Sequence, residues 1–434
     1  MMKSYATYYK DLYSSVLDDI ADRYPSLRES LMLDKARLLS LVDARGLKFL
    51  TIDLPELGKH FERCLSNSLY VPSRLPGSRP VAGKVGLIPR LFSGIYLRVF
   101  DEFGALRVDL DIHAIACLRQ LFLMAKKTKL ECEDARKWQA ISEFFGIDRG
   151  LRRPSLDWEA DDLGTFDSDH LHLGDHQIDR SDPRQPVLPG LVPEETDQLG
   201  PDSIEWGHIC SIQSVCDIVA STLGVFNPLE WRTKHGPGAV ADGRKGESKY
   251  DFPYWPSKLD AVFPLPDFAY ANYGLWADDT TTQGGTRKGF RHLFGEPPSR
   301  LLAVPKTQKG PRLIAAEPSC YQWCQQSIKD FLAGRIGSTP IASSVRFRTQ
   351  LANQELAQRA SHDGRAATID LSSASDRVSC WIVERAFRRN QSLLRALHAS
   401  RTRWVSQLID DLSPRYYILQ KFATMGSACT FPVQ

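Results

Sequence analysis

Between Pro154 and Trp206 the chain carries 14 acidic residues and two basic ones, interrupted by Pro183, Pro186, Pro189, Pro193 and Pro201. No apolar period of two or 3.6 survives there, and the prolines exclude a continuous helix or an interior strand. Such a stretch contributes no core layer, so it reads as an irregular surface insertion, 154–206, behind a helical N-terminal region, 1–153. It also divides the charge. The whole chain is +3, yet the segment is −12, which leaves +15 for the remainder. A surplus of that size favours a polyanionic partner, although a solvated basic surface would have the same composition.

The 434 residues offer enough chain for about three domains. No apolar run approaches the roughly 20 residues of a membrane span, and Met1-Met2-Lys3-Ser4-Tyr5 does not open a signal peptide, so no membrane partner is expected. Nine widely spread cysteines suit a reducing, cytoplasmic setting better than a disulfide framework. Tyr8, Leu12, Val16 and Ile20, and later Trp138, Ile141, Phe144 and Phe145, predict amphipathic helices with core faces. Asp167, Asp169, His170, His172, Asp175 and His176 could be drawn as a metal site, but their spacing matches no ligand pattern and a solvated acidic loop is the simpler reading. Cys320 and Cys324 read as small buried hydrophobes.

From Glu230 onward the texture changes, with His235-Gly236-Pro237-Gly238, Gly284-Gly285 and a basic run of Arg287, Lys288, Arg291, Arg300, Lys306, Lys309 and Arg312 opposed only by Glu296. Leu301-Leu302-Ala303-Val304 and Leu313-Ile314-Ala315-Ala316 frame this run as two strands of a hairpin. Lys306, Lys309 and Arg312 would offer donors to a triphosphate, Arg312 bidentately, while Arg287, Lys288, Arg291 and Arg300 are further candidates for a polyanion, although such a run is usually a solvated face.

Two later segments carry chemistry. Ala366-Ala367-Thr368-Ile369-Asp370 predicts a short strand ending at a carboxylate, with Ser375 as N-cap of a helix whose buried stripe is Val378, Ile382 and Ala386. Asp370 then suits a hard cation such as Mg²⁺, and Asp376 falls in the first helical turn; a turn former and a helix-dipole residue are the alternative readings. In Lys421-Phe422-Ala423-Thr424-Met425-Gly426-Ser427-Ala428-Cys429-Thr430, Gly426 permits a backbone conformation closed to other residues, and Ser427 and Thr430 place hydroxyls where a helix begins. The alternation Tyr416, Ile418 against Tyr417, Leu419 predicts a strand before it.

In order, Val304 to Pro318, Asp370-Leu371-Ser372-Ser373-Ala374-Ser375-Asp376 and Met425-Gly426-Ser427 resemble the replicases of single-stranded RNA bacteriophages, the levivirus-like RNA-dependent RNA polymerases, at their motifs F, A and B. His235-Gly236-Pro237-Gly238 is similar to a glycine-rich stretch of the fingers in that family. The resemblance implies an α+β right-hand polymerase fold, with fingers over 207–353, a partial palm over 354–434 and the thumb missing. It implies Lys306, Lys309 and Arg312 on the incoming ribonucleoside triphosphate, Asp370 as ligand of two catalytic Mg²⁺ ions, Asp376 sensing the ribose 2′-hydroxyl, and Gly426, Ser427 and Thr430 at the nucleotide. The implied partners are a single-stranded RNA template, host translation elongation factors and a ribosomal protein, in the host bacterial cytoplasm.

Two departures stand out. Ser427 replaces the Asn that follows Met-Gly in the best-known relatives, and the Gly-Asp-Asp turn of motif C is absent: Asp18-Asp19, Asp161-Asp162, Asp278-Asp279 and Asp410-Asp411 neither follow Gly nor lie beyond motif B. The chain is therefore expected to be a replicase cut short and inactive alone. The rivals are a non-catalytic RNA-binding half of a split polymerase and a metal-dependent hydrolase built on His170 and His172.

Overall fold

The computed structural model describes residues 2–80, 86–152, 204–252, 254–281, 291–293, 296–347, 349–413 and 415–434. The insertion up to residue 203, with its Asp/His group, and Gly284, Gly285, Arg287 and Lys288 lie outside them. Helices and a small mixed sheet make the fold α+β, and the chain divides into two compact units, 1–140 with 304–312, and 141–303 with 313–434.

The first unit is helical, from α1 (Met2–Arg23), α2 (Arg28–Arg45), α3 (Leu54–Ser66), α4 (Ser93–Tyr96) and α5 (Ile112–Leu123) to the start of α6 (Asp134–Arg149). On α1 the buried residues Tyr13, Val16, Leu17, Ile20 and Ala21 form the inner stripe. Val16 and Ile20 are buried as the sequence predicts, whereas Tyr8, one turn before Leu12, is exposed because the stripe enters the core only at Tyr13. The Asp111 carboxylate caps α5 by accepting from the backbone N–H groups of His113 and Ala114, the usual way an acidic N-cap satisfies free donors. Phe61, Tyr70, Tyr96, Phe100 and Phe122 meet edge-on or tilted at the centre of this core.

The second unit holds the end of α6, α7 (Ile204–Leu223), α8 (Ser257–Asp260), α9 (Leu265–Phe268), α10 (Tyr273–Thr281), α11 (Ser319–Arg335), α12 (Leu351–Asp363), α13 (Cys380–Phe387), α14 (Gln391–Ser400) and α15 (Thr430–Val433). Cys320 and Cys324 are fully buried in α11, as small hydrophobes, and all nine cysteines are free. Strands β1 (Tyr254–Pro256) and β2 (Arg291–Leu293) pair in parallel. The four-stranded sheet runs β4-β3-β5-β6, from β3 (Ser299–Thr307), β4 (Gly310–Ala316), β5 (Trp404–Ser406) and β6 (Tyr416–Ile418). Strand β5 lies parallel to β3, Ser299 opposite Val405, and antiparallel to β6, Val405 opposite Tyr417. Ile141, Phe144 and Phe145 of α6 pack with Leu301, Ala315, Val405 and Leu419 into one core, while Trp138 on the same helix stays exposed. Among the described residues no helix is long and apolar enough to cross a membrane.

Candidate functional site

The basic run folds as the expected hairpin, β3 and β4 joined by Gln308 and Lys309. Its tip belongs to the first unit. There Thr51 Oγ1 donates to Gln308 Oε1 at 2.6 Å, Arg136 Nη1 donates to the Lys309 carbonyl at 3.1 Å, and Lys309 Nζ lies 2.8 Å from Glu56 Oε1. The Glu56 contact holds the Lys309 ammonium above the usual lysine range and the Glu56 carboxyl below its own. Lys309 is thus committed to a carboxylate, whereas Lys306 and Arg312 are exposed and form no ion pair among the described residues. Arg300 is half-buried in β3 opposite Ser406, and Arg291 lies in β2.

The segment expected to form a strand before Asp370 does not. Residues 364–371 carry no regular structure and are exposed, Ile369 at 85% and Leu371 at 71%. None of the described strands pairs with them, and a short apolar run holds strand geometry only when its backbone groups and one face find a partner. Asp370 consequently stands exposed. Ser375–Arg377 form a 3₁₀ turn rather than the start of the helix, and Val378 is extended, φ −78 and ψ 103. Helix α13 begins one turn later, with Ser379 as the N-cap: its side chain accepts from Ile382 N at 3.2 Å. The buried face is accordingly Cys380, Trp381, Val383, Glu384 and Phe387, with Val378 and Ala386 only partly buried against it.

The chain leaving this turn is bound to the chain entering the glycine turn. Cys380 N donates to the Gln420 carbonyl at 3.2 Å and Phe422 N to the Val378 carbonyl at 2.8 Å, with Ser379 and Lys421 forming an antiparallel bridge. Lys421 is fully buried. Its Nζ donates to Asp376 Oδ1 at 3.1 Å and to the Phe144 carbonyl at 3.3 Å, and sits 3.6 Å from the centroid of the Phe144 ring. Burial lowers the Lys421 pKa, and the charges of Asp376 and Asp148 oppose that fall. Asp148, also fully buried, accepts the backbone N–H of Gln420 at 3.0 Å and of Lys421 at 2.9 Å.

The glycine turn packs on the base of β4. A Cβ on Gly426 would collide with the Ala315 carbonyl, and its backbone does not have a positive φ. The glycine is therefore required by close approach of two backbones, not by the unusual conformation expected from sequence. Ala428 N donates to Gln325 Oε1 at 3.1 Å, Thr430 Oγ1 donates to the Thr424 carbonyl at 2.5 Å, and Ser427 Oγ accepts from Cys429 N at 3.2 Å. Helix α15 starts at Thr430, where the hydroxyl pattern predicts it.

Sequence reasoning missed Lys421, Asp148 and Glu317. Glu317 follows the Ala315-Ala316 pair, is buried, and accepts a hydrogen bond from Thr402 Oγ1; burial pushes its carboxyl up to about 7. The one available signal was an acidic residue directly after an apolar strand. The His235-Gly236-Pro237-Gly238 loop is held by Lys249 Nζ, which donates to the Gly236 and Gly238 carbonyls at 3.3 and 2.5 Å. Among the described residues no group of three or more His, Cys, Asp and Glu is placed to hold a metal ion. Asp370 fits a single oxygen ligand, and the described residues do not assemble a two-metal site around it.

A family model described as RNA replicase, beta-chain, matches residues 211–434, which include the β3–β4 hairpin, the Asp370 to Asp376 turn and the Gly426 turn. The RNA-directed RNA polymerase beta chain of Enterobacteria phage GA is 33% identical over 154 residues, 35% of this chain and 26% of that one. The beta chain of Escherichia phage MS2 is 32% identical over 145 residues, 33% and 24% of the two chains. That of Enterobacteria phage fr is 38% identical over 83 residues, 19% and 14%. The aligned part thus spans about a quarter, or less, of these relatives. Because the family match covers more than half of the 434 residues and contains the hairpin and both turns described above, the chain belongs to the RNA replicase beta-chain family.

Proposed function

We propose that this chain is the template- and nucleotide-handling part, fingers over 207–353 and partial palm over 354–434, of a right-hand RNA-dependent RNA polymerase that replicates a viral single-stranded RNA genome. The observation that carries the reading is the hydrogen-bonded group of Asp376, Lys421 and the Gly426 turn inside the region matching the replicase family. Lys306 and Arg312 are exposed cations suited to the phosphates of a ribonucleoside triphosphate, and Lys309, paired with Glu56, lies between them at the tip of the hairpin. Arg300, Arg291, Arg287 and Lys288 are proposed, from their place in the sequence, as basic residues for the template phosphates. Gly426, Ser427 and Thr430 line the nucleotide in this reading.

Asp370 is proposed as one carboxylate ligand of Mg²⁺, which typically keeps several waters and binds through one or two carboxylates together with substrate phosphates. When bound, the ion supplies charge neutralisation at the transferred phosphate. The further carboxylates of a two-metal reaction come, in this reading, from a longer chain or a second one. Host elongation factors and a ribosomal protein, met in the bacterial cytoplasm, are proposed partners on the strength of the family.

Photocrosslinking of 8-azido-ATP to the chain, with single-stranded RNA and Mg²⁺ present, tests the substrate assignment. Lys306→Ala and Arg312→Ala should each lower labelling about tenfold, the worth of one charge-assisted phosphate contact. RNA binding without any nucleotide labelling would favour the non-catalytic, RNA-binding alternative.

A further inference from the structure

We infer that Lys421 is the positioning residue for ribose recognition: it holds one carboxylate oxygen of Asp376 and leaves the other to accept the 2′-hydroxyl of a ribonucleotide. This rests on the proposed nucleotide-handling role and adds to it a residue that no motif contains. A lysine with no exposed side-chain surface is tolerated only when its ammonium is fully engaged, because an unpaired buried charge is strongly disfavoured. Here the engagement is specific. The Phe144 carbonyl and ring fix the ammonium from one side, and the remaining direction is filled by Asp376 Oδ1.

The backbone prevents Lys421 from moving away. Its own N–H is bound by the buried Asp148 carboxylate, its neighbour Phe422 donates to Val378, and it bridges Ser379. Asp376 is different in kind. It lies in a 3₁₀ turn, its side chain keeps 23% exposure, and Oδ2 accepts no hydrogen bond from the described residues. A rigid buried cation thus orients a half-exposed carboxylate, and the free oxygen is an acceptor for a hydroxyl. A 2′-deoxyribose brings no donor to that oxygen, so a ribonucleotide is favoured by one charge-assisted hydrogen bond.

Binding of radiolabelled ATP and 2′-deoxyATP to the full chain, by equilibrium dialysis with Mg²⁺, tests this. The unmodified chain should bind ATP about tenfold more tightly than 2′-deoxyATP. Lys421→Met should bring that ratio close to one by weakening ATP alone, an effect that a general loss of structure would not produce. Asp376→Asn, which leaves the Lys421 ammonium with the Phe144 carbonyl and ring, should collapse the ratio in the same way, and if the Met variant does not fold, an unchanged ratio here overturns the inference. A full ribose preference in either folded variant overturns the inference. Equal binding of the two nucleotides by the unmodified chain overturns it too, while leaving the nucleotide-handling role intact; no binding of either overturns both.

Discussion

Gly426 lies against the backbone of Ala315 so closely that a methyl group has no room at its Cα, and the neighbouring Thr424 hydroxyl donates to the same carbonyl at 3.4 Å. The obstacle is main chain in a paired strand rather than the end of a flexible side chain. Gly426→Ala should therefore destabilise the chain by about 1–3 kcal/mol or more, the usual range for forced overpacking. Urea unfolding measures it, and a midpoint matching that of the unmodified chain would show that the turn and β4 part without strain.

The three cations of the hairpin should not behave alike. Lys309 is paired with Glu56 at a partly exposed position, where removal of such a pair changes stability by at most about 1 kcal/mol. Lys309→Ala should therefore leave nucleotide crosslinking within about twofold of normal, against about tenfold losses for Lys306→Ala and Arg312→Ala. Equal losses at all three positions would mean that Lys309 leaves Glu56 when nucleotide binds.

Glu317 should give the chain an alkaline-sensitive stability. Burial raises its folded-state value to about 7 from the usual 4.5. Between those values the folded chain holds a proton that the unfolded chain has released. The contribution is complete below about pH 4.5 and is lost as pH rises through 7, on the order of 3 kcal/mol in all. Asp34 in the first unit, raised to about 6 by burial, acts with the same sign. Melting temperatures recorded from pH 5 to 8 should fall with pH, and Glu317→Gln should flatten the slope; an unaltered slope in that variant would assign the effect elsewhere.

Asp370 is exposed, so Asp370→Ala should change stability by no more than about 0.5 kcal/mol. In a complete replicase it should abolish Mg²⁺-dependent incorporation while RNA affinity stays within about twofold, as expected when a metal ligand rather than a phosphate contact is removed. Gel-based extension and filter binding read the two effects separately. Normal incorporation by the variant would remove Asp370 from the metal assignment.

Local pattern made part of this architecture readable. Ile141, Phe144 and Phe145 recur at helical spacing and share one buried face, and the apolar runs flanking Lys306 and Arg312 pair as the hairpin they suggest. Strand β6 alternates as expected, with Leu419 buried, Tyr417 half-buried, and Tyr416 and Ile418 exposed. The stretch before Asp370 has the same β-compatible composition, yet strand formation depends on a partner that composition cannot report. Ser375 and Ser379 are both residue types that cap helices; the extended backbone of Val378 places the cap at the second. Lys421 was least readable of all. A single lysine beside a glycine turn reads as surface charge, and its burial depends on Asp148, 273 positions earlier in the chain.

The first unit is assembled from distant pieces of chain, 1–140 and 304–312. Thr51, Glu56 and Arg136 leave the ribosome well before Gln308 and Lys309, the residues they hold. At about 5–20 residues per second the interval is roughly ten to fifty seconds. During it, the helical core of Phe61, Tyr96 and Phe122 can form, but the edge that receives the hairpin stays open to water. Completion of the N-terminal unit is thereby timed by translation of the basic segment, so the nascent protein acquires its finished helical body and its exposed Lys306 and Arg312 in the same step.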